Sequence, residues 1–198
     1  VIEGTQENGQ YWKYDSRGYL ILANENTQVI AGDGTTNITD RGLEISGANN
    51  TAAIISGDKT HNTLTGDSTV TGGAVGLVIT GDNTTNTISG HTTVDGATGA
   101  LISGNSTSST FSGDVTVSGG GTGIVFDGDN MSISNTGISD ISGKDSTGSI
   151  INGNNAQVAN DGNLNILDGA TGAKIIGDGA IVDNTGTSTV SGEGSTGL

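Results

Sequence analysis

Residues 53–76 read Ala53-Ile54-Ile55-Ser56-Gly57-Asp58-Lys59-Thr60-His61-Asn62-Thr63-Leu64-Thr65-Gly66-Asp67-Ser68-Thr69-Val70-Thr71-Gly72-Gly73-Ala74-Val75-Gly76. Three short runs rich in β-branched residues each stop at a glycine: Ile54-Ile55-Ser56 before Gly57, Asn62-Thr63-Leu64 before Gly66, and Ser68-Thr69-Val70 before Gly72. Gly and Asx residues after each run are turn signals, so the stretch predicts strand and turn three times over. No window carries the i, i+3, i+4, i+7 apolar spacing of a helix.

The same pattern recurs along the chain. Gly32, Gly57, Gly81, Gly104, Gly128, Gly153 and Gly177 form one column, spaced by 25, 24, 23, 24, 25 and 24 residues. Nine residues after each come Gly66, Gly90, Gly113, Gly137, Gly162 and Gly186, with Arg41 as the exception. Fifteen residues after each come Gly47, Gly72, Gly96, Gly119, Gly143 and Gly192, with Asp168 breaking the set. Such self-similarity defines coils at 28–52, 53–76, 77–99, 100–123, 124–148, 149–172 and 173–197.

Apolar residues keep that register. Two positions before the first glycine stand Ile30, Ile55, Ile79, Ile102, Phe126, Ile151 and Ile175; two before the third stand Ile45, Val70, Val94, Val117, Ile141, Ile166 and Val190. On the remaining side, Leu64, Ile88 and Phe111 lie two before the middle glycine, whereas Ile133, Val158 and Val182 lie four before it. Positions two apart share one face of a strand, so either fills an interior. Asparagine moves the opposite way: Asn37, Asn62 and Asn86 take one of these positions, Asn135, Asn160 and Asn184 the other. Stacked amides bond to one another along the repeat axis, which predicts an internal Asn ladder.

No coil buries its apolar residues alone, but copies stacked about 4.8 Å apart make continuous aliphatic columns. The expectation is an all-β chain, a right-handed three-sided parallel β-helix (β-solenoid) of about seven coils of 23–25 residues, the hand following from the crossover rule. Seven coils give a rod of roughly 34 Å. Residues 1–27, which hold Trp12, Tyr11, Tyr14 and Tyr19, are expected as an N-terminal partial coil or cap, with Tyr19–Leu22 as a strand on the first coil. The array is then 28–198, with Leu198 opening an eighth coil, and the chain reads as a segment of a longer passenger.

Composition narrows function. Glycine is 36 of 198 residues, Pro and Cys are absent, and net charge is −15 with six Lys and Arg. Without clustered cations there is nothing to displace counterions from phosphates, so nucleic acid is not an expected partner. No apolar run is long enough to insert in a membrane as a helix, and cysteine absence excludes disulfides and thiolate metal sites. Gly66-Asp67-Ser68 imitates a serine nucleophile, but its copies read Gly90-His91-Thr92 and Gly113-Asp114-Val115, so it is a repeat turn. His61 and His91 fall at different coil positions and form neither triad nor metal pair. Clustered carboxylates with aromatic or basic residues, the mark of a polysaccharide-cleaving groove, are not apparent, and a regular outward Thr array for ice is broken by Glu44, Asp140 and Asn165. The chain is expected not to be an enzyme.

Two surface columns remain as candidates. Asp33, Asp58, Asp82, Asp129 and Asp178, interrupted by Asn105 and Asn154, follow the first glycine. Asx turns account for such a row; weak binding of a Ca2+ ion on carboxylate oxygens is the alternative, and no other cofactor is expected. One position before the core isoleucines runs Val29, Ile54, Val78, Leu101, Val125 and Ile150, ending at Lys174. Strand alternation turns that stripe outward, and a contiguous outward aliphatic stripe marks a covered face or an interaction site.

Across residues 28–198 the degenerate turns Ile55-Ser56-Gly57-Asp58, Val94-Asp95-Gly96-Ala97-Thr98-Gly99 and Val117-Ser118-Gly119-Gly120-Gly121-Thr122-Gly123 resemble the passenger domains of AIDA-type autotransporter adhesins of Gram-negative bacteria. That resemblance implies a β-helix displayed outside the outer membrane by a C-terminal β-barrel translocator. It also implies a cell-surface role in adhesion, autoaggregation or biofilm formation, with a host glycan, a matrix protein or a second copy as partner. A carbohydrate-active β-helix and a passive spacer stalk are the alternatives.

Overall fold

The protein is described by a computed structural model covering residues 3–7, 10–14, 20–24, 28–39 and 42–197. From residue 28 it is an all-β solenoid built of three parallel seven-stranded sheets. The first sheet stacks Gln28–Ala31, Thr51–Ser56, Val75–Thr80, Thr98–Ser103, Thr122–Asp127, Thr147–Asn152 and Thr171–Ile176. The second stacks Thr36–Thr39, His61–Leu64, Thr85–Ile88, Ser108–Phe111, Ser132–Asn135, Gln157–Asn160 and Ile181–Asn184. The third stacks Leu43–Ser46, Ser68–Thr71, Thr92–Asp95, Val115–Ser118, Ser139–Ser142, Leu164–Leu167 and Ser188–Ser191. Each chain turn thus lays one strand on each side, and every strand pairs with its copy one coil away.

Register follows the aliphatic columns. Ile30, Ile55, Ile79, Ile102, Phe126, Ile151 and Ile175 stand opposite one another in the first sheet. Ile45, Val70, Val94, Val117, Ile141, Ile166 and Val190 do so in the third. Ile79, Ile102, Val70, Val94, Val117 and Ile166 are fully buried, each stabilising the stack by about 1.5–3 kcal/mol relative to exposure. Two clusters divide the interior. One joins the first and second sheets through Ile79, Ile102, Phe111 and Phe126; the other gathers the third sheet around Val70, Val94 and Ile166 with small residues such as Ala74 and Ala97.

The glycine columns have two physical causes. At the first corner φ is positive throughout, for example +136° at Gly57, and Asp168 in the third column adopts +57° where its counterparts are glycines. The middle column lacks the positive φ and has only the second cause, which the first column shares: a Cβ on Gly90 would collide with the carbonyl oxygen of Gly66 one coil below, as one on Gly81 would with that of Gly57. There the backbones of successive coils touch, and no side chain fits.

The Asn ladder is present and changes column partway. Asn37 Nδ2 donates to Asn62 Oδ1 (2.8 Å) and Asn62 Nδ2 to Asn86 Oδ1 (2.9 Å); Asn86 Nδ2 then donates to Ser109 Oγ (3.2 Å). Above Ser109 the same column is aliphatic, because Ser109 pairs with Ile133 and Ile133 with Val158. The ladder resumes two residues along: Phe111 pairs with Asn135, and Asn135 donates to Asn160 (2.8 Å) and Asn160 to Asn184 (2.7 Å). At this hand-over sit both phenylalanines of the chain, edge to face at 5.9 Å, and its one methionine, Met131, 1% exposed.

The hand-over leaves one loose end. Thr60 and Thr84 accept from the side chains of Asn62 and Asn86 in their own coils. Thr107 has Ser109 in place of that asparagine, and its buried Oγ1 has no hydrogen-bond partner among the described residues. Beyond the junction, Ser149 and Ala173 continue a column that holds Leu77 and Ile124 lower down. The lost volume shows as an apolar cavity of about 80 Å³ lined by Phe126, Ile133, Ser149 and Val158 among others.

The N-terminal residues differ from expectation. Glu3–Glu7, Gln10–Tyr14 and Leu20–Asn24 form their own three-stranded sheet, both pairings antiparallel. No strand on the first coil comes from Tyr19–Leu22: Leu20 and Leu22 pair with Tyr14 and Trp12 instead, and Tyr19 lies outside the described residues. Physically, this stretch lacks the glycine register that would set it onto a coil, so local antiparallel pairing wins. Arg41 and Leu198, each singled out from the sequence, also lie outside the described residues.

Candidate functional site

The outward face of the first sheet carries the aliphatic stripe. Val29, Ile54, Val78, Leu101, Val125 and Ile150 are opposite one another in an unbroken ladder that ends at Lys174. They belong to neither interior cluster. Each is half-buried rather than exposed, while Lys174 is exposed. In-register stacking explains this: each side chain shields its neighbours about 4.8 Å above and below, leaving a smooth ridge about 24 Å long.

Its flanks are mainly small and polar, with Val75 on one side and Ile176, opposite Asn152, on the other as apolar exceptions. On one side runs Ser56, Thr80, Ser103, Asp127 and Asn152; on the other runs Thr51, Val75, Thr98, Thr122 and Thr147. Across the seven strands of this sheet only Asp127 and Lys174 are charged. The second sheet's strands carry Asp183 and the third's carry Glu44, Asp95 and Asp140. Most of the negative charge therefore lies at the corners, and the stripe sits on a nearly neutral face of an acidic rod.

The Asp column is a corner ladder. Asp58 N donates to Asp33 Oδ1 (2.9 Å), Asp82 N to Asp58 Oδ1 (2.9 Å) and Asn105 N to Asp82 Oδ1 (2.7 Å). The series continues through Asp129 N to Asn105, Asn154 N to Asp129 and Asp178 N to Asn154. One side-chain oxygen of each residue from Asp33 to Asn154 thus satisfies the backbone amide of its copy one coil on, which follows a positive-φ glycine. Asn serves as well as Asp because only an acceptor is needed. Ca2+ takes six to eight oxygens around a point, whereas Asp33, Asp58, Asp82, Asp129 and Asp178 form a line. Among the described residues no group of three or more His, Cys, Asp or Glu is gathered as a metal site.

The second corner works alike. Asp67 Oδ1 accepts from the His91 backbone amide (2.9 Å) and Asp114 Oδ1 from that of Ile138 (3.0 Å). Gly66-Asp67-Ser68 is thereby a turn whose carboxylate is tied to the main chain. A further column escaped the sequence reading: Lys59, Asn83, Ser106, Asn130 and Asn155 all take φ between 55° and 57°. Its signal was Gly34 and Gly179 at the same position in the first and last coils.

A stretch of 44 residues, 22% of this chain, is 68% identical to the surface-exposed virulence protein BigA of Salmonella typhimurium, and covers 2% of that protein's length. No family model matches the chain, and no solved structure matches it.

Proposed function

We propose that this solenoid is a non-enzymatic segment of a bacterial surface adhesin, working outside the cell and meeting a second copy of itself through the aliphatic stripe of the first sheet. The carrying observation is the stripe: six aliphatic side chains in register on a nearly uncharged face of a chain with net charge −15. Two rods meeting there bury apolar surface while their acidic corners stay apart. The short, highly similar stretch shared with a surface-exposed virulence protein supports the location. Export as the passenger of an autotransporter, with a β-barrel translocator elsewhere in the protein, belongs to the same proposal, as do autoaggregation and biofilm formation.

Area sets the strength. A ridge about 24 Å by about 10 Å offers roughly 240 Å² per partner, far below the ~800 Å² of a stable complex. A single segment is therefore a weak dimer, and strong adhesion requires many coils engaging together, where each further contact is intramolecular. Sedimentation velocity from about 10 µM to about 1 mM, the range for so small an interface, reads this out. Association is expected, and it disappears in Val78→Asp/Leu101→Asp. The milder pair Val78→Thr/Leu101→Thr, which keeps strand propensity, should weaken it without unfolding. A strict monomer, or association indifferent to both pairs, rejects the stripe. Glycan or matrix binding by a strictly monomeric chain would then assign adhesion to another partner.

A further inference from the structure

Two interior columns narrow at the same level of the rod. The column that carries Leu77, Ala100 and Ile124 goes on as Ser149 and Ala173. On the third sheet Ser139 stands between Val115 and Leu164. The second sheet does not make up the volume, because its aliphatic residue has moved to Ile133 and Val158, and asparagines follow Phe111 in the neighbouring column. The result is the cavity of about 80 Å³, walled by Phe111, Phe126, Ile133, Ile151, Val158 and Leu164. Its lining runs from Phe111 to Ala173 and takes nothing from Ile181–Asn184 or Ser188–Ser191.

The asparagines beside it offer no free donor. Asn135 Nδ2 donates to Asn160 Oδ1 (2.8 Å) and toward Gly137 O and Ser139 Oγ (both 3.4 Å). Asn160 Nδ2 donates to Gly162 O (3.2 Å) and Asn184 Oδ1 (2.7 Å). The hydrogens of both amides are thus spent within the ladder and its own turns. A buried water needs roughly two to four polar partners, whereas most of this wall is carbon. We propose that the cavity is a binding site for one small apolar molecule, the size of a xenon atom or propane.

Size sets the class of guest. An apolar cavity of about 150 Å³ takes up benzene or xenon; about half that volume excludes an aromatic ring and leaves room for a few heavy atoms. A guest gains dispersion contacts with Phe126, Ile133 and Val158, and because only the folded rod holds it, it stabilises the coils around it. Ser149 sets the capacity, since leucine there would match Leu77 of the same column and fill the space. The outward stripe plays no part: Ser149 and Ile151 line the cavity and Ile150, between them, does not.

Xenon is the probe. Carbon–proton correlation spectra of the methyl groups, recorded as xenon pressure is raised, should show saturable shifts at Ile133, Ile151 and Val158. Val70 and Ile79, in lower coils and outside the lining, should not move. Ser149→Leu should lose the response and Ser149→Val should weaken it. Ser149→Ala, which widens the cavity and removes a hydroxyl, should bind at least as tightly as the parent. Should Ser149→Leu fail to fold, the order of Ser149→Val, parent and Ser149→Ala carries the same test. A parent chain without a saturable shift, as when water alone holds the site, overturns the proposal. So do shifts spread evenly over all coils, or shifts that the Ser149 variants leave unchanged.

Discussion

Replacing Asn62 by leucine separates hydrogen bonding from mere filling of the interior. The Asn62 side chain is 1% exposed; it accepts from Asn37 (2.8 Å) and donates to Asn86 Oδ1 (2.9 Å) and Thr60 Oγ1 (3.0 Å). Asn62→Leu strands three polar atoms at once, and Asn86 and Thr60 are themselves at most 1% exposed. At about 1–3 kcal/mol for each stranded group the loss sums to roughly 3–9 kcal/mol. Burying leucine returns about 2 kcal/mol. The expected net loss is about 1–7 kcal/mol, even though the substitution makes the core more hydrophobic. Urea denaturation followed by far-UV circular dichroism measures it, with hydrogen exchange at Thr85–Ile88 as a second probe, because repeat arrays can open in parts. The triple variant Asn37→Leu/Asn62→Leu/Asn86→Leu should cost much less than three single changes, since its members no longer strand one another. A single variant as stable as the parent would refute the ladder as a source of stability and leave only shape.

Thr107→Val removes the one buried side-chain oxygen without a partner among the described residues and should raise stability by about 1 kcal/mol, seen as a higher urea midpoint with unchanged slope. Glycines divide by cause. Gly90→Ala drives a Cβ into the Gly66 carbonyl and should abolish stacking or cost several kcal/mol, whereas Gly34→Ala, with φ +66° and nothing within 4 Å, should cost only about 1–2 kcal/mol. Thermal melts of the two variants side by side check the ordering, and similar losses would contradict it.

The solenoid was legible because its determinants repeat. Ile55, Val70 and Leu64 recur in register, and a column of like residues constrains itself against misreading. The Asn ladder was legible for the same reason, since its change of column is matched by the aliphatic residues moving the other way. What each Asp does was not readable from residue type: Asp58 in a turn suits a cation as well as a backbone amide, and only geometry shows the amide on its oxygen. The left-handed column through Lys59 and Ser106 was hidden because backbone conformation, not side-chain chemistry, is what repeats there. Residues 3–24 could not be aligned to any copy, so their antiparallel pairing had no periodic signal. For the stripe, sequence gave its orientation but not its half-burial, which arises from stacking between coils.

From Thr51 onward the connections between strands are only two to four residues long, and their backbone amides bond to the neighbouring coil. A protease needs a run of residues pulled free and extended into its cleft, and between Thr51 and Leu167 no such run exists without first unpairing a strand on both sides. A rod with no disulfide to hold it together would thus resist proteases by leaving them no loose strand to grip along those coils.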